Sequence, residues 1–349
     1  MSEPATNIPL SPRQLFWRRL RARRAAMAGG CILAALYLTA LLAGFVAPYH
    51  YESDDRDRFF HPPIRPTLDG LRLVVPRWEE KEGQFAYAPK PGDTKPLRFF
   101  VKGDKYKLLA LIPCETHLFG TGEKNYPAYL LGTDQFGRCV FSRVLYGSQI
   151  SLSIGLIGIT LSFTFGMLNG GISGYFGGRI DTSIMRVCEL IMSIPSLYLI
   201  LALRNTFPSN ISSTQAYAMI IVILSFIGWA SMARVVRGMA LSLRERQFVL
   251  AARALGATPW RIITRHILPS TFSYVIVAAT LSVPYYILGE VVLSYLAVGI
   301  QEPQASWGNM LTAAQNTEHL RSYPWLLAPG AAIFITVLAF NFLGDGLRD

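Results

Sequence analysis

Arg244-Glu-Arg-Gln-Phe-Val-Leu-Ala-Ala-Arg-Ala-Leu-Gly-Ala-Thr-Pro-Trp-Arg-Ile-Ile-Thr-Arg-His-Ile-Leu-Pro269 is a basic insert between two stretches apolar enough to cross a membrane. Placed on a helix, Phe248, Ala251, Ala252 and Leu255 fall at i, i+3, i+4 and i+7 and make one apolar face. Arg246 and Arg253 share the opposite face. The two alanines keep the apolar face thin, so another backbone can approach it closely. Gly256 stands where a helix C-terminus favours a residue that tolerates positive φ. Thr258 and Pro259 then read as the N-cap and first residue of a second short helix, reaching about His266. Pro269 is expected to close that helix, because the residue before a proline is pushed out of the helical region. A helix hairpin lying on a membrane surface carries the same pattern.

The flanking sequence decides between a soluble and a membrane setting. Of 349 residues, 51% are hydrophobic and 16% charged, which is unusual for a soluble chain of this length. A hydrocarbon core of about 30 Å needs roughly 20 apolar residues per helix. Six segments qualify: 25–47, 150–171, 184–203, 217–232, 272–296 and 325–343. Arg13, Arg18, Arg19, Arg21, Arg23 and Arg24 precede the first, which predicts a cytoplasmic N-terminus. Counting crossings then puts Arg179, the insert and Arg348 on the same side, and the insert region adds Arg234, Arg237, Arg244, Arg246, Arg253, Arg261 and Arg265. The short loop 205–216 on the other side has no charge. The net charge of +11 therefore marks the cytoplasmic face, and nucleic acid is not an expected partner. The lipid bilayer is one, and the N-terminal arginines suit anionic headgroups.

Residues 49–148 are expected outside, as a small domain of β-strand and loop. They hold charges of both signs, prolines 62, 63, 66, 76, 89 and 91, and β-like runs at 71–75 and 97–101. The division is a basic N-terminus (1–24), a first transmembrane helix (25–48), the extracytoplasmic domain (49–148) and a five-helix core (149–349) with a cytoplasmic loop at 237–270. Cys31 and Cys188 fall in spans and read as small apolar packing residues, while Cys114 and Cys139 lie where oxidation is possible. No metal-ligand spacing surrounds either, and no catalytic constellation stands out. A phosphate loop of the form Gly-x4-Gly-Lys-Ser/Thr is missing from the sequence; Gly120-Thr-Gly-Glu-Lys124 lacks the spacing.

Within the spans, Glu290 is a functional candidate because an ionisable group in a membrane is expensive; a buried, hydrogen-bonded acid is the competing reading. Arg186 and Glu189, three apart on one helical face, suit a local ion pair. Gly155 and Gly158, with Gly147, Gly166 and Gly170, suit close helix packing ahead of pathway contact. Pro195 and Pro284 are expected to kink the third and fifth spans.

The insert resembles the EAA loop of ABC-importer permeases: Glu-Ala-Ala, three residues, Gly, nine residues, an apolar residue, one more, then Leu-Pro. Ala251, Ala252, Gly256, Leu268 and Pro269 take matching positions; Leu250 replaces the Glu and His266 the apolar residue. Other blocks are similar to the C subunit of the dipeptide/oligopeptide/nickel branch. These are Leu131-Gly-Thr-Asp134 with Gly137-Arg138, Ser142-Arg143 and Tyr146-Gly147, then Gly174-Tyr-Phe-Gly-Gly178, Ser306-Trp-Gly-Asn309 and Asn341-Phe-Leu-Gly-Asp345. Cys139 stands where the branch has Asp.

The resemblance implies an all-α membrane protein with the six-helix type I importer permease fold, in the bacterial inner membrane with both termini cytoplasmic. It implies a second, homologous permease subunit, one or two separate ATPase subunits that hold ATP and Mg, and a periplasmic solute-binding protein. This chain itself would bind no cofactor. Phe248, Leu250, Ala251, Ala252, Leu255, Gly256 and Pro269 would couple it to the ATPase, and peptides or similar small solutes would pass. A secondary transporter would need internal repeats and a midplane ion site, and neither is apparent. A membrane-anchored sensor or scaffold would need only one or two spans.

Overall fold

The computed structural model describes residues 21, 23–69, 72–81, 86–108, 111–123, 125–208 and 211–348. Arg13, Arg18 and Arg19 of the basic cluster lie outside the described residues. Among the described residues, five helices are long and apolar enough to span a membrane, and a bent helix pair that is long and apolar enough only when taken together stands where the third span is expected.

The central element is α3, Val140–Phe176. At about 1.5 Å rise per residue, its 37 residues reach about 55 Å, well beyond the hydrocarbon core. A run of glycines lets two other helices press against it. A Cβ on Gly155 would lie 2.7 Å from Ile287, and one on Gly158 would lie 2.8 Å from Tyr286. Further along, a Cβ on Gly170 would meet the Ala233 carbonyl at 2.5 Å, and one on Gly174 the Ala240 Cβ at 2.6 Å. No larger residue fits at these backbone separations, which explains the composition of the span. The helices brought in are α6, Ser213–Leu243, and α9, Leu268–Tyr295. Leu152, Ile159, Ile220, Leu224, Ile287 and Trp307 fill the shared core. At the periphery, α1 (Arg24–Leu41) packs on the last span, α11 (Ala328–Arg348), with Gly29 seated against Ala339 and Phe342. A short helix, α2 (Ala43–Val46), ends the first span.

The third span departs from expectation. Instead of one kinked helix it is two, α4 (Gly178–Ser193) and α5 (Ser196–Arg204), bent by 94°. Ile194 (φ −90°, ψ 129°) and Pro195 (φ −56°, ψ 128°) are both extended, the conformation that a proline imposes on the residue before it. By contrast, α9 runs unbroken through Pro284. Cys31, expected to pack, is exposed on α1, whereas Cys188 is buried; Cys114 and Cys139 are unbonded.

Between α2 and α3 lie five antiparallel strands in two sheets. The first orders β1 (Thr67–Asp69), β2 (Arg72–Lys81) and β3 (Ala86–Pro96). The second pairs β4 (Arg98–Leu108) with β5 (Ile112–Gly120). The β-like runs at 71–75 and 97–101 fall at the starts of β2 and β4. β3 gives no sequence signal because it contains Pro89, Pro91 and Pro96. It is an edge strand, where a missing N–H is tolerated. Thus the strands sit at the Val140 end of α3, and the basic insert at the Phe176 end.

Candidate functional site

The insert folds as two short helices. The first, α7 (Gln247–Ala254), is followed by Gly256 at φ +79°. The second, α8 (Pro259–Ile262), starts with the Thr258 hydroxyl accepting from the Arg261 N–H at 3.4 Å and with Pro259 in its first turn. Pro269 does not end it. The chain passes through a π turn, Ile263–Ile267, into α9, giving one continuous helical rod from Pro259 to Tyr295. In the π turn the Leu268 N–H reaches back five residues to the Ile263 carbonyl. That wider turn moves the preceding carbonyls away from the Pro269 ring, so the clash that normally stops a helix is relieved.

The insert is held by one small apolar seat. Val249 is fully buried against Ala240, Ile262 and Ile267, with Ala252 half-buried beside them. Sequence reasoning overlooked Val249, because it falls outside the 248/251/252/255 stripe. The rest of that stripe faces outward: Phe248 is 45% exposed, Leu255 is 88% exposed and Ala251 is exposed. Leu250, at the family's Glu position, is 44% exposed. The Arg253 guanidinium lies 5.5 Å above the Tyr175 ring and ties α7 to the end of α3. Nearby, Arg237 of α6 binds Asp181 of α4 through two hydrogen bonds of 2.5 Å, and Ser173 of α3 donates to the same carboxylate. Three spans are therefore pinned together directly beneath the insert.

At the strand end, two buried arrangements join distant segments. Glu290 is fully buried in α9 and accepts hydrogen bonds from Ser151 of α3 at 2.8 Å and Ser294 at 2.7 Å. The same serines receive the Trp307 N–H (3.3 Å) and the Ile300 N–H (3.0 Å), which seats a short helix, α10 (Trp307–Met310), against α3. Glu290 is thus a satisfied acid built into the packing.

The second arrangement was not anticipated. Asp134 binds Arg138 at 2.8 Å, and Arg138 in turn binds Glu302 through both terminal guanidinium nitrogens. Arg143, 1% exposed, binds Glu302 at 3.0 Å and also donates to the Tyr51 and Pro303 carbonyls. Burial alone pulls the Arg138 guanidinium down, but its hydrogen bonds and the charges of Glu302 and Asp134 more than offset this and hold it above its usual range. The Leu-Gly-Thr-Asp block carries this clasp: a Cβ on Gly132 (φ +72°) would strike the His61 carbonyl, and the Thr133 carbonyl accepts from Trp325 Nε1 at 2.9 Å. Glu302 lies in a different loop, so spacing gave no signal for it. Arg186 and Glu189 do form their ion pair, at 3.1 Å, on an exposed face where such pairs contribute little. Among the described residues no group of three or more His, Cys, Asp or Glu side chains is placed to hold a metal.

Residues 163–349 match the family described as "Binding-protein-dependent transport system inner membrane component". Residues 11–63 match "N-terminal TM domain of oligopeptide transport permease C". The chain belongs to the binding-protein-dependent permeases. This permease is 34% identical over 341 residues to the dipeptide transport system permease protein DppC of Bacillus subtilis, covering 97% of this chain and 85% of that one. It is 38% identical over 235 residues to the oligopeptide transport system permease protein OppC of the same organism, covering 67% and 74%. A solved structure of inward-facing conformations of the MetNI methionine ABC transporter overlays 59% of the permease and 95% of that chain, with a TM-score of 0.44 and 19% identity. The permease is a multi-pass inner membrane protein, a subunit of a binding-protein-dependent importer.

Proposed function

We propose that this permease forms half of a translocation pathway for peptides or similar small solutes, and that α7 is the element gripped by a separate ATPase subunit. The observation that carries the reading is the division of α7 into a buried anchor, Val249, and an outward stripe of Phe248, Ala251 and Leu255. A helix with one fully buried residue and its apolar stripe left bare suits a groove on another protein. ATP and Mg belong on that partner, since this chain has no phosphate loop. A second, homologous permease subunit completes the pathway, and a periplasmic binding protein delivers solute at the strand end. The insert end faces the cytoplasm, as do both termini, in keeping with the arginines concentrated there. The names of the relatives support peptides as the solute class.

Gly256 provides the test. Its φ is +79° and a Cβ there would touch nothing within 4 Å, so only backbone conformation constrains the position. Asn tolerates that conformation and Val does not. In the assembled transporter, Gly256→Asn should keep solute-stimulated ATP hydrolysis. Gly256→Val should insert normally and lose most of that stimulation. Equal hydrolysis and uptake in both variants would show that the insert is not the coupling element.

A further inference from the structure

The final turn of α3 offers three successive residues to three other helices. Ser173, fully buried, donates to the Asp181 carboxylate of α4 at 2.5 Å. The Gly174 carbonyl accepts from Arg244, the residue that ends α6, at 3.3 Å. The Tyr175 ring lies under the Arg253 guanidinium of α7 and packs with Ala240 and Val249. Among the described residues one ion pair joins α4 to α6. Arg237 donates from Nε and Nη2 to the two Asp181 oxygens, at 2.5 Å each, so the pair fixes direction as well as distance. Ala240 stands three residues further along α6, on the same side of that helix, and Val249 of α7 packs against it. Here α3 and α6 meet at backbone separation: a Cβ on Gly174 would lie 2.7 Å from the Arg237 carbonyl and 2.6 Å from the Ala240 Cβ.

We propose that Asp181 and Arg237 are positioning residues for the insert. They hold the insert end of α6 in one orientation against α3 and α4, and so set how α7 presents Phe248, Ala251 and Leu255 to its partner. The proposal rests on the reading of α7 as the element that an ATPase grips. Among the described residues neither Asp181 nor Arg237 hydrogen-bonds to α7; their effect reaches it through Ala240 and Tyr175. Apolar contact is non-directional, so the glycines of α3 bring α6 close without aiming it. The two-pronged pair supplies the aim, and a lysine in place of Arg237 would keep the charge but lose the fork. The pair of Arg186 and Glu189 on the same helix, α4, makes a control, because it is exposed and joins α4 only to itself.

The assembled transporter carrying Asp181→Asn, Arg237→Gln, both together, Arg237→Lys or Glu189→Gln is followed by two readouts: hydrogen exchange in 247–254, and the ratio of solute-stimulated to basal ATP hydrolysis. Exchange should rise severalfold in Asp181→Asn and Arg237→Gln while the middles of α3 and α6 keep their protection. Both variants should lose most of the stimulation. The double variant should be no worse than either single one, because each removes the same clamp. Arg237→Lys should fall between wild type and Arg237→Gln, and Glu189→Gln should match wild type. If Asp181→Asn fails to assemble, Arg237→Lys decides by itself, and wild-type exchange in that variant overturns the proposal. Unchanged exchange in 247–254, acceleration spread evenly over α3 and α6, or additive effects in the double variant would each overturn it as well. Faster exchange in 247–254 with full stimulation would uphold the positioning role and overturn α7 as the coupling element.

Discussion

His61 shows how much one side chain can carry in the strand region. Its ring is fully buried among Trp78, Tyr87 and Tyr129, with Nδ1 2.7 Å from the Pro62 carbonyl and Nε2 without a partner. Burial drives its pKa down from 6.5 to about 4, with the Pro62 hydrogen bond only partly resisting. The folded ring therefore takes up its proton later than the unfolded one as pH falls. Stability is complete above pH 6.5 and is lost as pH drops toward 4, by up to about 3 kcal/mol. Thermal unfolding followed between pH 7.5 and 4.5 should show this decline, and His61→Phe should flatten it. A wild-type melting temperature insensitive to pH over that range would contradict the assignment.

At the scale of elements, α7 depends on very little. Val249→Ala removes two methyl groups from its only fully buried contact, a loss of about 1.5–3 kcal/mol once the cavity is included. Local opening should then become easier without global unfolding. Hydrogen exchange in 247–254 should accelerate while α3 and α6 keep their protection; uniform acceleration would mean that the seat is not local. The elements also show where sequence reading succeeds. Gly256, Thr258 and Pro259 act within a turn of themselves, so the α7–α8 hairpin was legible. Pro269 was misread because the rule about the preceding residue is local too, and it assumes α-helical spacing that the π turn changes. β3 was hidden for a related reason. Its prolines disfavour a strand in general, and only its edge position, a property of the sheet, makes them acceptable.

At the scale of the whole molecule, the apolar segments were legible from hydropathy alone, although the third proved to be a pair bent by 94°, whereas the contacts that bind them were not. The clasp of Asp134, Arg138, Arg143 and Glu302 joins the start of α3 to the loop after α9, and no periodicity links those positions. Glu302→Gln would leave the buried Arg143 charge short of its main partner. Because Glu302 is itself 44% exposed, the expected cost is about 1–3 kcal/mol, below that of a fully buried pair. A melting shift in Glu302→Gln, absent when a surface acid such as Glu189 is changed, checks this. The π turn has a further consequence at this scale. The rod from Pro259 to Tyr295 is helical throughout, with no loop between the insert and Glu290. The π turn accommodates one residue more than an α-helical turn, and a residue is worth about 100° of rotation about the axis. The two halves of the rod therefore differ in phase by about that angle, and the wider turn fixes which side of α9 faces α3 when α8 is seated on α7.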